Sequence, residues 1–244
     1  MLLLLYCALL VSNVASSSLD FPDLSSYSQP CEPFSCRPKR ALAPVKDFEF
    51  TSNGCGTSGM SISSGKDFQE CCDWHDACYS VCGMPKANCE KRFQKCMKVK
   101  CREIRSQKKR EECMSTAKVF YIGANMVGCS AFEDAQKEAC ECVPADVAAF
   151  ATHERVKYFL KENGAPDADV EEEAIDALLE KYKGDEPTMF LRLLKKYPKA
   201  LKTDLTKTNY MDDIVKNTDK SIKKKKKKGI QIEKEVPVEE HEEL

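Results

Sequence analysis

Cys71-Cys72-Asp73-Trp74-His75-Asp76-Ala77-Cys78-Tyr79 sets a histidine beside an aspartate, between cysteines at helical spacing. Successive positions on an α-helix point about 100° apart. His75 and Asp76 therefore serve different neighbours from one rigid element, one facing a reacting water and the other a cation. Cys71, His75, Cys78, Tyr79 and Cys82 share a face, and disulfides from Cys71 and Cys78 would clamp that face against a second element. Asp76 falls on the adjacent face with Cys72. Upstream, Asn53-Gly54-Cys55-Gly56-Thr57-Ser58-Gly59 is a glycine-rich loop. A carboxylate beside inward-turned carbonyls has the composition of a calcium site, since calcium takes about 6–8 oxygens, backbone carbonyls included. The glycines allow the dihedrals such a loop needs.

The pattern around this block predicts helices. One starts near Asp67, with Glu70 three residues on, runs through Cys82 and stops at Gly83 ahead of Pro85. A second spans about 88–105. A third spans about 109–142, with breaks near Gly123 and Gly128. No stretch alternates convincingly as a strand. Beyond Asp146 three apolar stripes have helical spacing: Val147, Phe150, Val156, Phe159 and Leu160; then Ile175, Leu178, Leu179 and Tyr182; then Phe190, Leu191, Leu193 and Leu194. They predict a small core. The stretch 177–197 resembles a short helix-turn-helix motif appended to many eukaryotic proteins, which names no chemistry. The fold class is all-α: a disulfide-rich module over 19–145, a small helical domain over 146–200, and a charged tail over 201–244.

Composition fixes the compartment. The opening apolar run, closing in Ser-Asn-Val-Ala-Ser-Ser-Ser, has the length of a signal peptide, predicted over 1–18. The chain has 15 cysteines, and the 14 beyond Cys7 lie between Cys31 and Cys142. An even, high count in an exported chain reads as a disulfide framework. The last residues, His241-Glu242-Glu243-Leu244, are similar to the retrieval signals of the endoplasmic reticulum, which a receptor reads. The expected location is the lumen of that compartment, or otherwise outside the cell. Net charge is −1, so whole-chain charge points to no partner, and no nucleic-acid partner is expected. The basic run Lys223–Lys228 and the glutamates after it read as solvated tail.

The block Cys-Cys-x-x-His-Asp-x-Cys-Tyr resembles the active-site helix of secreted phospholipase A2. With Asn-Gly-Cys-Gly before it and Cys-Tyr-x-x-Cys-Gly after it, it is most similar to the group XII branch, over roughly residues 31–142. The resemblance implies hydrolysis of the sn-2 ester of a glycerophospholipid at a membrane surface, giving a lysophospholipid and a fatty acid. His75 would be the general base and Asp76 a calcium ligand, with carbonyls of Gly54, Gly56 and Ser58 completing the Ca2+ site. The Gly56 amide would serve the oxyanion. The family orients its histidine with an aspartate six residues before a helix cysteine, which points to Asp134 before Cys140, with Tyr79 hydrogen-bonded to that carboxylate. It also implies Cys55–Cys72 and Cys71–Cys140 disulfides. Better-known branches place a cysteine directly before that aspartate. Glu133 stands there, so Cys78 needs another partner, with Cys129 as the candidate. Those branches also line the acyl channel with an N-terminal amphipathic helix, and none is evident between Ser18 and Gly54. His153 and His241 read as isolated and solvent-facing. The rival functions are a non-catalytic lumenal binding protein on the same scaffold and a secreted ligand for a receptor.

Overall fold

The computed structural model describes residue 31 and residues 34–57, 60–61 and 68–204. The predicted signal peptide, Ser58, Asp67, His241 and the terminal His-Glu-Glu-Leu lie outside the described residues. Strands are short: β1 (Arg40–Pro44), β2 (Phe50–Ser52), β3 (Gly56–Thr57), β4 (Met60–Ser61), β5 (Cys140–Pro144) and β6 (Leu201–Thr203). Helices carry the architecture: α1 (Gln69–Tyr79), α2 (Lys86–Arg102), α3 (Gln107–Val127), α4 (Cys129–Ala139), α5 (Ala148–Glu162), α6 (Asp167–Val170), α7 (Glu172–Lys181) and α8 (Glu186–Lys196).

Helix α1 is shorter than its spacing predicts, and Gln136 supplies the reason. Its buried Nε2 donates to the carbonyls of Tyr79 (2.7 Å) and Val81 (2.8 Å), and its Oε1 accepts from Gly83 N (2.9 Å). These groups would otherwise continue the helical ladder. Gly83 then turns the chain at φ +76°, a region that favours glycine. The long third helix breaks once, at Gly128, and runs unbroken through Gly123.

Disulfides fix how the helices pack. Cys71 bonds Cys96 and Cys78 bonds Cys89. These crossed registers require α1 and α2 to run antiparallel. The expected Cys71–Cys140 bridge does not form: α2 lies against the Cys71 face, and Cys140 instead bonds Cys82 just past the end of α1. Cys129 is likewise taken by Cys31 rather than Cys78. Cys55–Cys72 forms as the resemblance implies and ties the glycine loop to α1. Cys101–Cys113 turns α3 back along α2, and Cys36–Cys142 reinforces the antiparallel β1–β5 ribbon.

Two apolar clusters result. One joins Phe68, Phe93, Met97, Met114 and Phe120 beneath the disulfides. The other joins Phe50, Tyr79 and Phe132 to Val156, Phe159, Ile175, Met189 and Leu194 of the later helices. The apolar stripes beyond Asp146 thus pack against the back of the disulfide module. β6 adds to this join by pairing in parallel with β2. No helix among the described residues is long and apolar enough to cross a membrane.

Candidate functional site

His75 projects from the middle of α1, between the two helix-to-helix disulfides. Its ring stacks on Phe93 of α2 at 4.4 Å and tilts against Tyr79 at 4.3 Å. Its Nε2 lies 3.3 Å from Oε2 of Glu90. That is ion-pair range without hydrogen-bond alignment, and neither atom has a hydrogen-bond partner among the described residues. The carboxylate facing His75 is therefore Glu90, on α2.

Glu90 is only 3% exposed. Lys86 Nζ, one turn earlier, donates to its Oε1 at 2.9 Å, and Tyr79 Oη donates to the same oxygen. Lys86 also donates to the Ala124 carbonyl on α3 at 2.9 Å, which ties that helix to the cluster. Burial alone would raise the Glu90 carboxyl, but the His75 imidazole, the Lys86 ammonium and the Tyr79 hydroxyl together hold it at about 2. It is ionised at all ordinary pH. Burial and then Glu90 itself push the Tyr79 phenol up, so the hydroxyl stays a donor.

Asp134 does not take the orienting place. It sits on the solvent side of α4, with its side chain 67% exposed and paired to Lys137 at 3.3 Å. Two cysteines satisfy the six-residue spacing, Cys140 after Asp134 and Cys96 after Glu90. Cys96 is the one bridged to α1, and Cys89 directly precedes Glu90. That preceding cysteine was the available signal, obscured because the residue is Glu rather than Asp. Tyr79 does hydrogen-bond a carboxylate, and it is that of Glu90.

Asp76 faces the loop, as the spacing predicts. Its Oδ2 accepts from Ser52 Oγ at 3.0 Å and from the Asn53 amide at 3.1 Å. The Ser52 hydroxyl also reaches Asp73 Oδ1 at 2.6 Å, and its single proton serves one carboxylate at a time. Ser52, a buried residue the sequence did not single out, thus couples β2 to both acids of α1. Burial raises the Asp76 carboxyl to about 6. The hydrogen bonds it receives come from neutral donors, so a bound cation would relieve the cost of burying its charge. Gly54 turns the loop at φ +83°, and a Cβ there would lie 2.5 Å from Gln69 Nε2. Asp76, Gly54 and Gly56 line the same cavity. A carboxylate with loop carbonyls is an oxygen donor set that fits calcium in kind. Among the described residues no three His, Cys, Asp or Glu side chains cluster as a metal site.

That cavity holds about 540 Å³ and is mostly apolar. Its floor carries His75, Asp76 and Tyr79, and its far wall is α3, through Thr116, Val119, Phe120, Gly123, Ala124 and Val127. This is the channel wall that the sequence left unassigned. A neighbouring, more polar cavity of about 460 Å³ holds Asn53, Asp134, Lys137 and Glu138. The two share Gly56, Asp76, Tyr79 and Ala131. At their junction α4 passes so close that a Cβ on Gly128 would lie 2.8 Å from Tyr79 Oη.

His153, expected to be isolated, is not. Its side chain is 13% exposed, with Nε2 3.0 Å from Glu172 Oε2 and 3.6 Å from Asp176 Oδ1, so it links α5 to α7.

Residues 15–148 match the family described as "Group XII secretory phospholipase A2 precursor". The chain is 31% identical over 97 residues to the human "Group XIIA secretory phospholipase A2", covering 37% of this chain and 51% of the human protein. The mouse protein of that name is likewise 31% identical over 97 residues, 37% of this chain and 50% of the mouse protein. The mouse "Group XIIB secretory phospholipase A2-like protein" is 25% identical over 122 residues, 45% of this chain and 63% of that protein. The chain spans about half the length of the group XIIA relatives it matches. No solved structure matches it at a significant level. With its disulfide-crosslinked helices, the chain belongs to the group XII secretory phospholipase A2 family.

Proposed function

We propose that this protein hydrolyses the sn-2 ester of glycerophospholipids, with calcium bound at Asp76 and the glycine loop. The observation that carries the reading is the buried His75–Glu90 pair opening onto an apolar cavity beside a hard-oxygen carboxylate. Glu90 faces Nε2, so Nδ1 is the nitrogen left to take a proton from water. The fixed negative charge of Glu90 stabilises the imidazolium that forms, as a buried carboxylate does in other histidine-base enzymes. Phe93 and Tyr79 hold the ring between them, and the apolar wall of α3 excludes bulk water from the acyl chain. The Gly56 amide serves the developing oxyanion, worth about 2.7–4 kcal/mol for a single donor in comparable sites. Calcium, when bound, polarises the ester carbonyl and holds the phosphate. The polar cavity beyond Asp76 receives the headgroup. The signal-like start and the terminal His-Glu-Glu-Leu support residence in the endoplasmic reticulum lumen, with retrieval by a receptor.

The reading is tested by fatty-acid release from mixed phospholipid vesicles, with calcium and then with chelator. Release stops when the ion is removed; equal release in both overturns it. The ion's affinity follows pH with a definite sign. Asp76 has its carboxyl raised from 3.8 to about 6. Burial thus favours the protonated form, and the associated stability is present below 3.8 and lost as pH rises through about 6. The ion needs the ionised form, so calcium affinity measured by calorimetry falls as pH drops through about 6.

A further inference from the structure

We propose that the C-terminal half of α3 is the surface on which this protein seats against an anionic phospholipid bilayer, an inference that rests on the lipid-ester reading of the cavity. The first half of α3 is charged, with Lys108, Lys109, Arg110, Glu111 and Glu112. From Val119 to Phe132 there is no charged residue at all. A charge-free run on a helix ordinarily means burial, but here it is on the outside. Val119 is 68% exposed, Met126 64% and Val127 65%, half of the large apolar side chains so exposed among the described residues. Their spacing at i, i+7 and i+8 puts them on one face. Between them a Cβ on Gly123 would meet nothing within 4 Å, so the face is open. An open apolar patch of this kind marks an interaction surface.

The occupant follows from two further observations. Val119 and Val127 belong both to this face and to the wall of the cavity that holds His75. Whatever seats there supplies an apolar group directly into the cavity, which a lipid acyl chain does and a folded protein surface does not. The second observation is charge. Between Lys86 and Lys118, along α2 and the first half of α3, twelve Lys and Arg stand against four Glu, though Lys86 and Lys100 are paired with Glu90 and Glu70. An anionic bilayer offers a partner for both features, with headgroups for the lysines and arginines and acyl carbons for Val119, Met126 and Val127. A helix charged over half its length lies in the interface plane rather than across the membrane.

The test uses the full chain and ether-linked phosphatidylcholine–phosphatidylserine vesicles, which resist hydrolysis, with chelator present. The wild type co-sediments with these vesicles, and His75→Gln does so equally, because seating needs no catalysis. Met126→Glu, whose far-ultraviolet spectrum confirms its fold, binds about tenfold more weakly, as expected for loss of one inserted side chain. Met126→Leu restores binding, and phosphatidylcholine vesicles alone bind more weakly than the mixture. Unchanged binding by Met126→Glu overturns the proposal. So does the absence of wild-type seating, equal binding to uncharged vesicles, or self-association of the chain that Met126→Glu abolishes. Seating without fatty-acid release in the separate hydrolysis assay would sink the catalytic reading and leave this surface standing.

Discussion

His75→Gln, secreted and disulfide-bonded like the wild type, releases fatty acid from phospholipid vesicles about 10²–10⁴-fold more slowly, the range for loss of a general base. Glutamine keeps much of the size of the imidazole and can still lie against Phe93, but it has no nitrogen that takes a proton at neutral pH. The loss falls on kcat more than on KM, because the cavity wall on α3 that holds the acyl chain is untouched. A folded His75→Gln protein with undiminished release would mean that the base lies elsewhere.

Glu90→Ala has the second large effect, and it falls on stability as well as rate. It leaves the Lys86 ammonium, 13% exposed, without its carboxylate, and the Tyr79 hydroxyl and His75 Nε2 without theirs. Removing one member of a buried charge pair costs about 3–5 kcal/mol, so the thermal midpoint falls by many degrees. The pH dependence has the opposite sign to that of Asp76. The Glu90 carboxyl is lowered from 4.5 to about 2 in the folded protein. Its contribution is fully present above 4.5 and is lost as pH falls from there toward about 2. The wild type therefore loses stability over that window by chemical denaturation, and Glu90→Gln shows a flatter profile in the same range.

The residues that sequence alone made legible are those whose chemistry is local. His75 and Asp76 are adjacent on one short helix, and helical geometry separates their roles whatever surrounds them. The glycine loop was legible because Gly54 occupies a conformation few other residues adopt. Glu90 was not, because its role depends on which cysteine α1 bonds. Six-residue spacing before a cysteine occurs at both Glu90 and Asp134, and only the antiparallel packing of α1 on α2 decides between them. The end of α1 was misplaced for a similar reason. Gln136, more than fifty residues away, captures the carbonyls of Tyr79 and Val81. The channel wall escaped notice because the uncharged run after Lys118 reads as core, whereas only Phe120 and Phe132 among its large apolar side chains are buried. Ser52 has no sequence signature, since its value lies in being placed between Asp73 and Asp76.

The central claim is that His75 works as a base held by Glu90. Steady-state rates of sn-2 fatty-acid release by Glu90→Gln and Asp134→Asn, measured side by side on the same vesicles with calcium, test it most directly. Glu90→Gln keeps a side chain of the same length but removes the charge facing His75 Nε2, and its kcat falls at least about tenfold, one 1.36 kcal/mol step or more in transition-state energy. Asp134→Asn, changed only on the solvent side of α4, keeps the wild-type kcat. The reverse pattern, a normal Glu90→Gln and a crippled Asp134→Asn, would contradict this account.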